Sequence, residues 1–436
     1  MKAVLVLCRA LLVGLLSFSA HAAAAVQVDS WPLPVATRAS QPNLVADVHR
    51  CASGLVLPKV AADKKPAPDS LPRCAGAADS ALYLSWIEPD GKGHKLRYAR
   101  EAGEGFEPAR EIARGENWFV NWADFPALAV LADGSLVAHF LQKSAAAPYA
   151  YDVRLTRSLN GSDWSAPETV HDDGTTTEHG FVSLWPWSAG EVAVAWLDGR
   201  RTGGSGHDGH GTGDGAMTLR AAVFDARGKR QEWELDAGAC DCCQTDAALT
   251  QAGPVLVYRD RAEGEIRDIA LTRYRDGQWT APVRVHADNW FMPACPVNGP
   301  AVVARGREVY VAWYTAVDNE PQLRLARSSD DGEHFDAPKR IATGPGVQGR
   351  VDLALDDDAL FASWLSEDAQ AQTLWLARYP LDLASEPERI EVAKLARGRG
   401  TGFPRLALRD GVAHLVWTDI VGKQPRLRGA RVSFPR

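Results

Sequence analysis

A short apolar strand ending in an aromatic residue recurs along this chain, and that recurrence constrains the fold more than anything else in it. Seven copies can be aligned: Ala81–Trp86, Leu136–Phe140, Val192–Trp196, Val255–Tyr258, Val309–Trp313, Leu360–Trp364 and Ala413–Trp417. They lie roughly 50 to 60 residues apart, the repeat length of four-stranded propeller blades with generous loops. Around each copy, an apolar strand follows Pro or Gly, a third strand alternates apolar and basic residues, and a fourth opens on an aromatic residue and Pro. Short alternating strands bounded by Gly, Asp and Pro, with no amphipathic helix, make the chain all-β. The expectation is a β-propeller of four-stranded blades, seven in number, with six as the alternative if one unit is displaced.

The last unit supplies three strands and then the chain ends. Val26–Trp31 is the candidate for its missing fourth strand, a closure that would remove an exposed sheet edge. Ahead of it, Lys2 and Arg9, an apolar run to Phe18 and the small residues up to Ala23 read as a signal peptide over residues 1–22. The expectation is therefore an exported protein, periplasmic or secreted, with residues 26–436 forming one propeller domain. No later run reaches the ~20 apolar residues of a membrane span. Without residues 1–22 the chain keeps 46 basic and 55 acidic residues, a net charge of −9. That balance argues against a nucleic-acid partner, which needs clustered Lys and Arg.

Cys8 leaves with the signal, so six cysteines remain. Cys51 and Cys74 bracket a hydrophilic, Pro-containing loop in the first blade and are expected to form a disulfide clamping that insertion. The other four are concentrated: Cys240, Cys242 and Cys243 fall within four residues, and Cys295 lies in Pro293–Pro300.

The turn Ser328-Ser329-Asp330-Asp331-Gly332-Glu333-His334-Phe335 resembles the Asp-box, S-x-D-x-G-x-x-[WF], of the sialidase (BNR-repeat) superfamily. Ser158 to Trp164 is a shortened form, and Asp276-Gly277-Gln278-Trp279 keeps the turn. The resemblance implies a sialidase-like propeller over nearly the whole mature chain. Sialidases also carry an Arg-Ile-Pro-type motif, three arginines that clamp a carboxylate, a Tyr–Glu nucleophile pair and an Asp acid/base. There is no Arg-Ile-Pro here, and none of those residues carries over by motif, so the fold alone does not supply an activity.

In a four-stranded blade, the segment leading into the inner strand and the loop joining second to third strands open on one face. Chemistry concentrates on such loops. On that face the sequence places His179, the three clustered cysteines and Cys295. Thiolate and imidazole suit Cu(I) or Zn(II), so His179, Cys240, Cys242, Cys243 and Cys295 are the candidate metal ligands. His207 and His210, in a glycine-rich loop, are weaker candidates. Disulfides stapling adjacent blades, or a redox-active thiol pair, are the alternatives for the cysteines. Arg259, Arg261, Arg267, Arg350 and Asn298 are candidate binders of an anion or carboxylate. Asp260, Glu265 and Tyr258 are the catalytic candidates.

Three functions remain open. The first is an exported propeller whose Cys/His/Arg-rich mouth binds a metal ion or an anionic ligand. The second is an exo-glycosidase of sialidase type acting on glycans, and the third an interaction platform.

Overall fold

The computed structural model describes residues 25–35, 38–46, 81–203 and 215–435. The signal segment 1–22, the Cys51–Cys74 pair and the His207/His210 loop lie outside the described residues. Seven antiparallel sheets follow one another along the chain, each beginning with an inner strand and moving outward. The seven-bladed expectation therefore holds, and the six-bladed alternative is set aside.

The inner strands of blades one to seven are Ser40–Ala46, Leu128–Val130, His179–Ser188, Asp246–Thr250, Ala301–Arg305, Val347–Leu355 and Arg405–Arg409. The second strands are Leu82–Asp90, Leu136–Lys143, Glu191–Asp198, Gly253–Arg259, Glu308–Thr315, Ala359–Glu367 and Val412–Val421. Blade seven takes its third strand from Gln424–Ser433 and its fourth from the N-terminal Gln27–Ser30, in the register Gln27↔Ser433 to Ser30↔Ala430. The chain ends thus meet in one sheet and leave no open blade. Among the described residues, no helix is long and apolar enough to cross a membrane.

The second strands are apolar over most of their length because neighbouring blades cover both of their faces. In blade four, every residue of Gly253–Arg259 is buried. Their terminal tryptophans fill the space between blades: Trp86, Trp196, Trp313 and Trp364 are all fully buried. An indole N–H in such a place needs an acceptor. Trp86 donates to Glu88 Oε1, Trp196 to Asp198 Oδ2 and Trp313 to Asp288 Oδ2, each at 2.7 Å. The turn between the third and fourth strands of blade five is closed by Asp330 Oδ1, which accepts the N–H groups of Glu333 and His334 at 3.1 and 2.9 Å.

The blades are also pinned around the central axis by side chains on or beside the inner strands. Asn43 accepts from Leu128 N, Asp124 from Phe181 N, Asp246 from Val302 N, Asn298 from Arg350 N and Asp352 from Leu406 N. Ser183 and Thr245 exchange a hydroxyl hydrogen bond at the joint between blades three and four. Burial pushes Asp124 and Asp246 up to about 7, only partly offset by these N–H donors. Protonated, each still accepts the hydrogen bond that joins its two blades.

Candidate functional site

The joint between blades four and five carries the thiols. The fourth strand of blade three, Gly228–Ala239, pairs to its last residue, where Ala239 lies opposite Met217 and also bridges to Asp260, just past blade four's second strand. Cys240 N then donates to Arg259 O at 2.9 Å. These contacts aim Cys240–Thr245 across the top of blade four. The segment Cys295–Pro300 arrives from the other side and is pressed against it. A Cβ on Gly299 would stand 2.0 Å from Gln244 O, so only glycine fits there. Gln244 locks the contact, accepting from Gly299 N at 3.0 Å and donating to Ala123 O at 2.7 Å. Val297, a β-branched residue, is held at φ 49° beside it, a conformation that costs energy and that the surrounding contacts must impose.

Cys240, Cys242 and Cys243 are buried, Cys295 is half-buried, and none of the four is held in a disulfide. The sulfurs of Cys240, Cys242 and Cys243 lie within 4.8 Å of one another, and Cys240 Sγ to Cys242 Sγ is 4.0 Å. A disulfide is about 2.05 Å long, so the stapling of blades by these cysteines is not what the structure holds. Three sulfurs about 2.3 Å from one metal ion would be separated by about 3.8 Å in a tetrahedron and about 4.0 Å in a trigonal plane. The observed spacing is of that size.

Their electrostatics differ sharply. Burial pushes the Cys240 thiol up to about 12, and burial with its sulfur neighbours raises Cys242 well above the usual thiol range. Burial would raise Cys243 too. Hydrogen bonds from Cys240 and Cys242, the Arg259 charge and the Asn298 N–H reverse the sign and hold it well below the usual thiol range. Within the cluster the charge is therefore favoured on Cys243 over Cys240 and Cys242. Arg259 and Arg267 are the cations of the site, each 1% exposed. Nε and Nη1 of Arg267 have no hydrogen-bond partner, and its charge acts on Cys240.

The remaining sequence candidates are distributed differently. Arg259 does not present its guanidinium to a ligand: it donates to the carbonyls of Asn298, Arg267 and Tyr314 at 2.6–2.9 Å and stacks over Trp290. Arg261 and Arg267 both bind Glu265, at 2.8 and 2.6 Å. Burial would raise Glu265, but those two arginines hold it below the usual carboxylate range. Arg350 donates to Thr401 Oγ1 and Gly402 O and lies over Trp122; burial lowers it to about 10. Asn298 is the pin between blades five and six. The expected arginine cluster is present, but as protein-to-protein contacts. Tyr258 is buried, and its hydroxyl donates to Asp236 Oδ2. Burial and the Asp236 carboxylate push Asp260 up to about 6.

His179 is a correction. It does not join the thiols. It opens the inner strand of blade three, paired in register with Asp198, and its ring is drawn to Asp173 Oδ2 at 3.1 Å and Asp198 Oδ1 at 3.7 Å. The sequence reading put it on the correct face but could not say which joint it serves. It also missed Asp236, on an outer strand that reaches over the next blade, and Arg267 as the counter-charge of a thiol. A separate cavity of about 220 Å³ opens where blades one, two and seven meet, lined by Gln41, Asn121, Trp122, Phe125 and Phe403 among others.

No protein-family model and no curated protein matches the sequence. Solved structures resemble it in three dimensions. A protein of unknown function from Dyadobacter fermentans has 13% identity and a TM-score of 0.45, over 73% of this chain and 97% of its own. The Trypanosoma rangeli sialidase, in complex with the inhibitor DANA, has 11% identity and a TM-score of 0.45 over 76% of this chain; the match spans 56% of the sialidase. The Penicillium chrysogenum α-L-arabinanase, complexed with arabinobiose, has 12% identity and a TM-score of 0.43, over 82% and 91% of the two chains. The propeller assignment rests on the sheet topology rather than on these likenesses.

Proposed function

We propose that this is an exported propeller that binds one soft metal ion, Cu(I) or Zn(II), through Cys240, Cys242 and Cys243. The observation that carries the reading is the convergence of three buried sulfurs within 4.8 Å. Three thiolates in a plane suit Cu(I); Cys295 at the rim supplies a fourth sulfur for Zn(II). Arg259 and Arg267 offset the negative charge that such a ligand set gathers out of water. Export rests on residues 1–22 reading as a signal peptide. In an oxidising compartment unprotected thiols 4.0 Å apart would oxidise, and a bound metal ion keeps them as ligands.

Burial and the neighbouring sulfurs favour protonated Cys240 and Cys242, whose protons the metal must displace, so loading releases protons and weakens as pH falls. A glycosidase of sialidase type would need three arginines free to grip a carboxylate; at this mouth Arg259 and Arg261 are engaged with carbonyls and with Glu265, and Arg267, also bound to Glu265, keeps only Nε and Nη1 unpaired.

The test is metal content and free-thiol count on protein purified from the exported fraction. One equivalent of Cu or Zn, lost in Cys243→Ser, is expected. Metal-free protein in which no thiol reacts after denaturation would show a disulfide staple and end the proposal.

A further inference from the structure

Between blades two and three, on the same face, three buried polar atoms converge without hydrogen-bond partners: Asp152 Oδ1, His171 Nε2 and His179 Nδ1. Buried polar atoms are almost always satisfied; here His171 Nε2 and Asp152 Oδ1 have only a long contact with each other and His179 Nδ1 has none, which calls for an occupant. The two imidazoles stack with centroids 3.5 Å apart and planes 4° from parallel. Asp173 Oδ2 takes their other nitrogens, His171 Nδ1 at 2.9 Å and His179 Nε2 at 3.1 Å. With those two nitrogens protonated toward Asp173, the remaining two are left with lone pairs. His171 Nε2 lies 3.5 Å from Asp152 Oδ1, and Asp152, His171 and His179 each bring a ligand atom within 4.8 Å of the others.

We infer that Asp152, His171 and His179 form a second metal site, distinct from the thiols, that takes a borderline divalent cation such as Zn(II). Two imidazole nitrogens and one carboxylate oxygen are a ligand set for such an ion, with the fourth position left to water. A carboxylate fixing the far nitrogens of both ligands, as Asp173 does, sets their tautomers and strengthens them as donors. The surrounding charge favours a cation. Asp152, Asp173 and Asp198 bring three negative charges, and Arg200, which pairs with Asp198 at 2.7 Å and Asp173 at 3.5 Å, offsets one. Ion binding tilts the two rings out of their parallel stack so that both lone pairs point at one centre.

Co(II), titrated into reduced, metal-stripped full-length protein, separates the two sites. Cobalt on thiolates gives an intense sulfur-to-metal charge-transfer band; cobalt on imidazole and carboxylate gives only weak d–d bands. Two equivalents are expected, one with the charge-transfer band and one without. Asp152→Asn should weaken only the second by about tenfold or more, of the size that perturbing a metal site's supporting groups produces, and His171→Gln should remove it. Near-UV circular dichroism checks that the variants fold. If His171→Gln does not, the partly exposed Asp152→Asn decides. A single equivalent carrying the charge-transfer band, as expected if a water fills the site, would overturn the inference. So would a second equivalent that persists unchanged in both variants. A single equivalent without that band, lost in His171→Gln, would leave this site standing and remove the thiol reading instead.

Discussion

The joint between blades four and five and the joint between blades two and three use the same scaffold positions and end in opposite chemistry. In each, the segment leading into an inner strand meets the end of a second strand. In blade three that meeting brings His179 to Asp198, both fully buried, with Arg200 close by. In blade four it brings Cys240–Cys243 to Arg259. The first is an imidazole pair in an acidic surround, and the second a thiol cluster over two buried cations. The axial pins below are of one kind: Asp124 under the first, Asp246 under the second, both pushed up to about 7 by burial. The difference therefore lies in a few residues at the mouth, carried by a frame that is constant from blade to blade.

The largest way to break this contrast is through Arg259. It holds the carbonyls of Asn298, Arg267 and Tyr314 as well as the charge on Cys243. Arg259→Met should strand those carbonyls and cost about 3 kcal/mol or more, read as a fall in Tm. The same variant should raise the pKa of the one acidic thiol, followed by thiolate absorbance against pH. A normal Tm with an unshifted thiolate would mean that Arg259 does not organise the thiol joint.

A smaller effect is expected from Gly299→Ala. Its Cβ would overlap Gln244 O, so the two cysteine-bearing segments must part. A loss of about 1–3 kcal/mol should come with faster alkylation of Cys295, while the imidazole joint keeps its cobalt affinity. Unchanged alkylation would show that the close approach does not seat Cys295.

The smallest and most informative change tests the constant part of the frame. Asp124 and Asp246 have pKa values raised above the 3.8 of an unfolded aspartate. Native protein thus holds protons that the unfolded chain has released, and stability is full in acid and lost as pH rises from about 4 toward 7. Asp246→Asn should tolerate the fold, since Asn43 and Asn298 already serve as pins at other joints. It should flatten the decline of Tm between about pH 4 and 7, and Asp124→Asn should do the same. A variant that leaves the slope intact would place the proton elsewhere.

How much of this could be read beforehand differs by level. The blades were legible because each second strand is apolar on both faces and ends in an aromatic residue, a pattern that stands in the sequence whatever surrounds it. The convergence of Cys240–Cys243 with Cys295 was legible too, since both precede inner strands of adjacent blades. The partners of His179, Arg259 and Arg261 were not. His179 could be assigned to a face but not to Asp173, six residues earlier, because the loop between them folds back only in the finished joint. The arginines looked available for a ligand because nothing in a sequence shows a backbone carbonyl left unpaired by a turn.

By itself, then, the sequence determined a closed ring of four-stranded blades, seven favoured over six, and the one face on which its unusual side chains gather. Strand period, turn chemistry and the covering of both strand faces are local or nearest-neighbour properties, repeated often enough to specify the kind of fold, while the blade count was settled by the sheets themselves. Only the tertiary structure decided which thiol ionises most readily, which arginines are engaged and which histidines stand together. Those outcomes depend on distances of a few ångströms between segments tens of residues apart, and on burial, which makes each unpaired charge or lone pair costly enough to choose its partner.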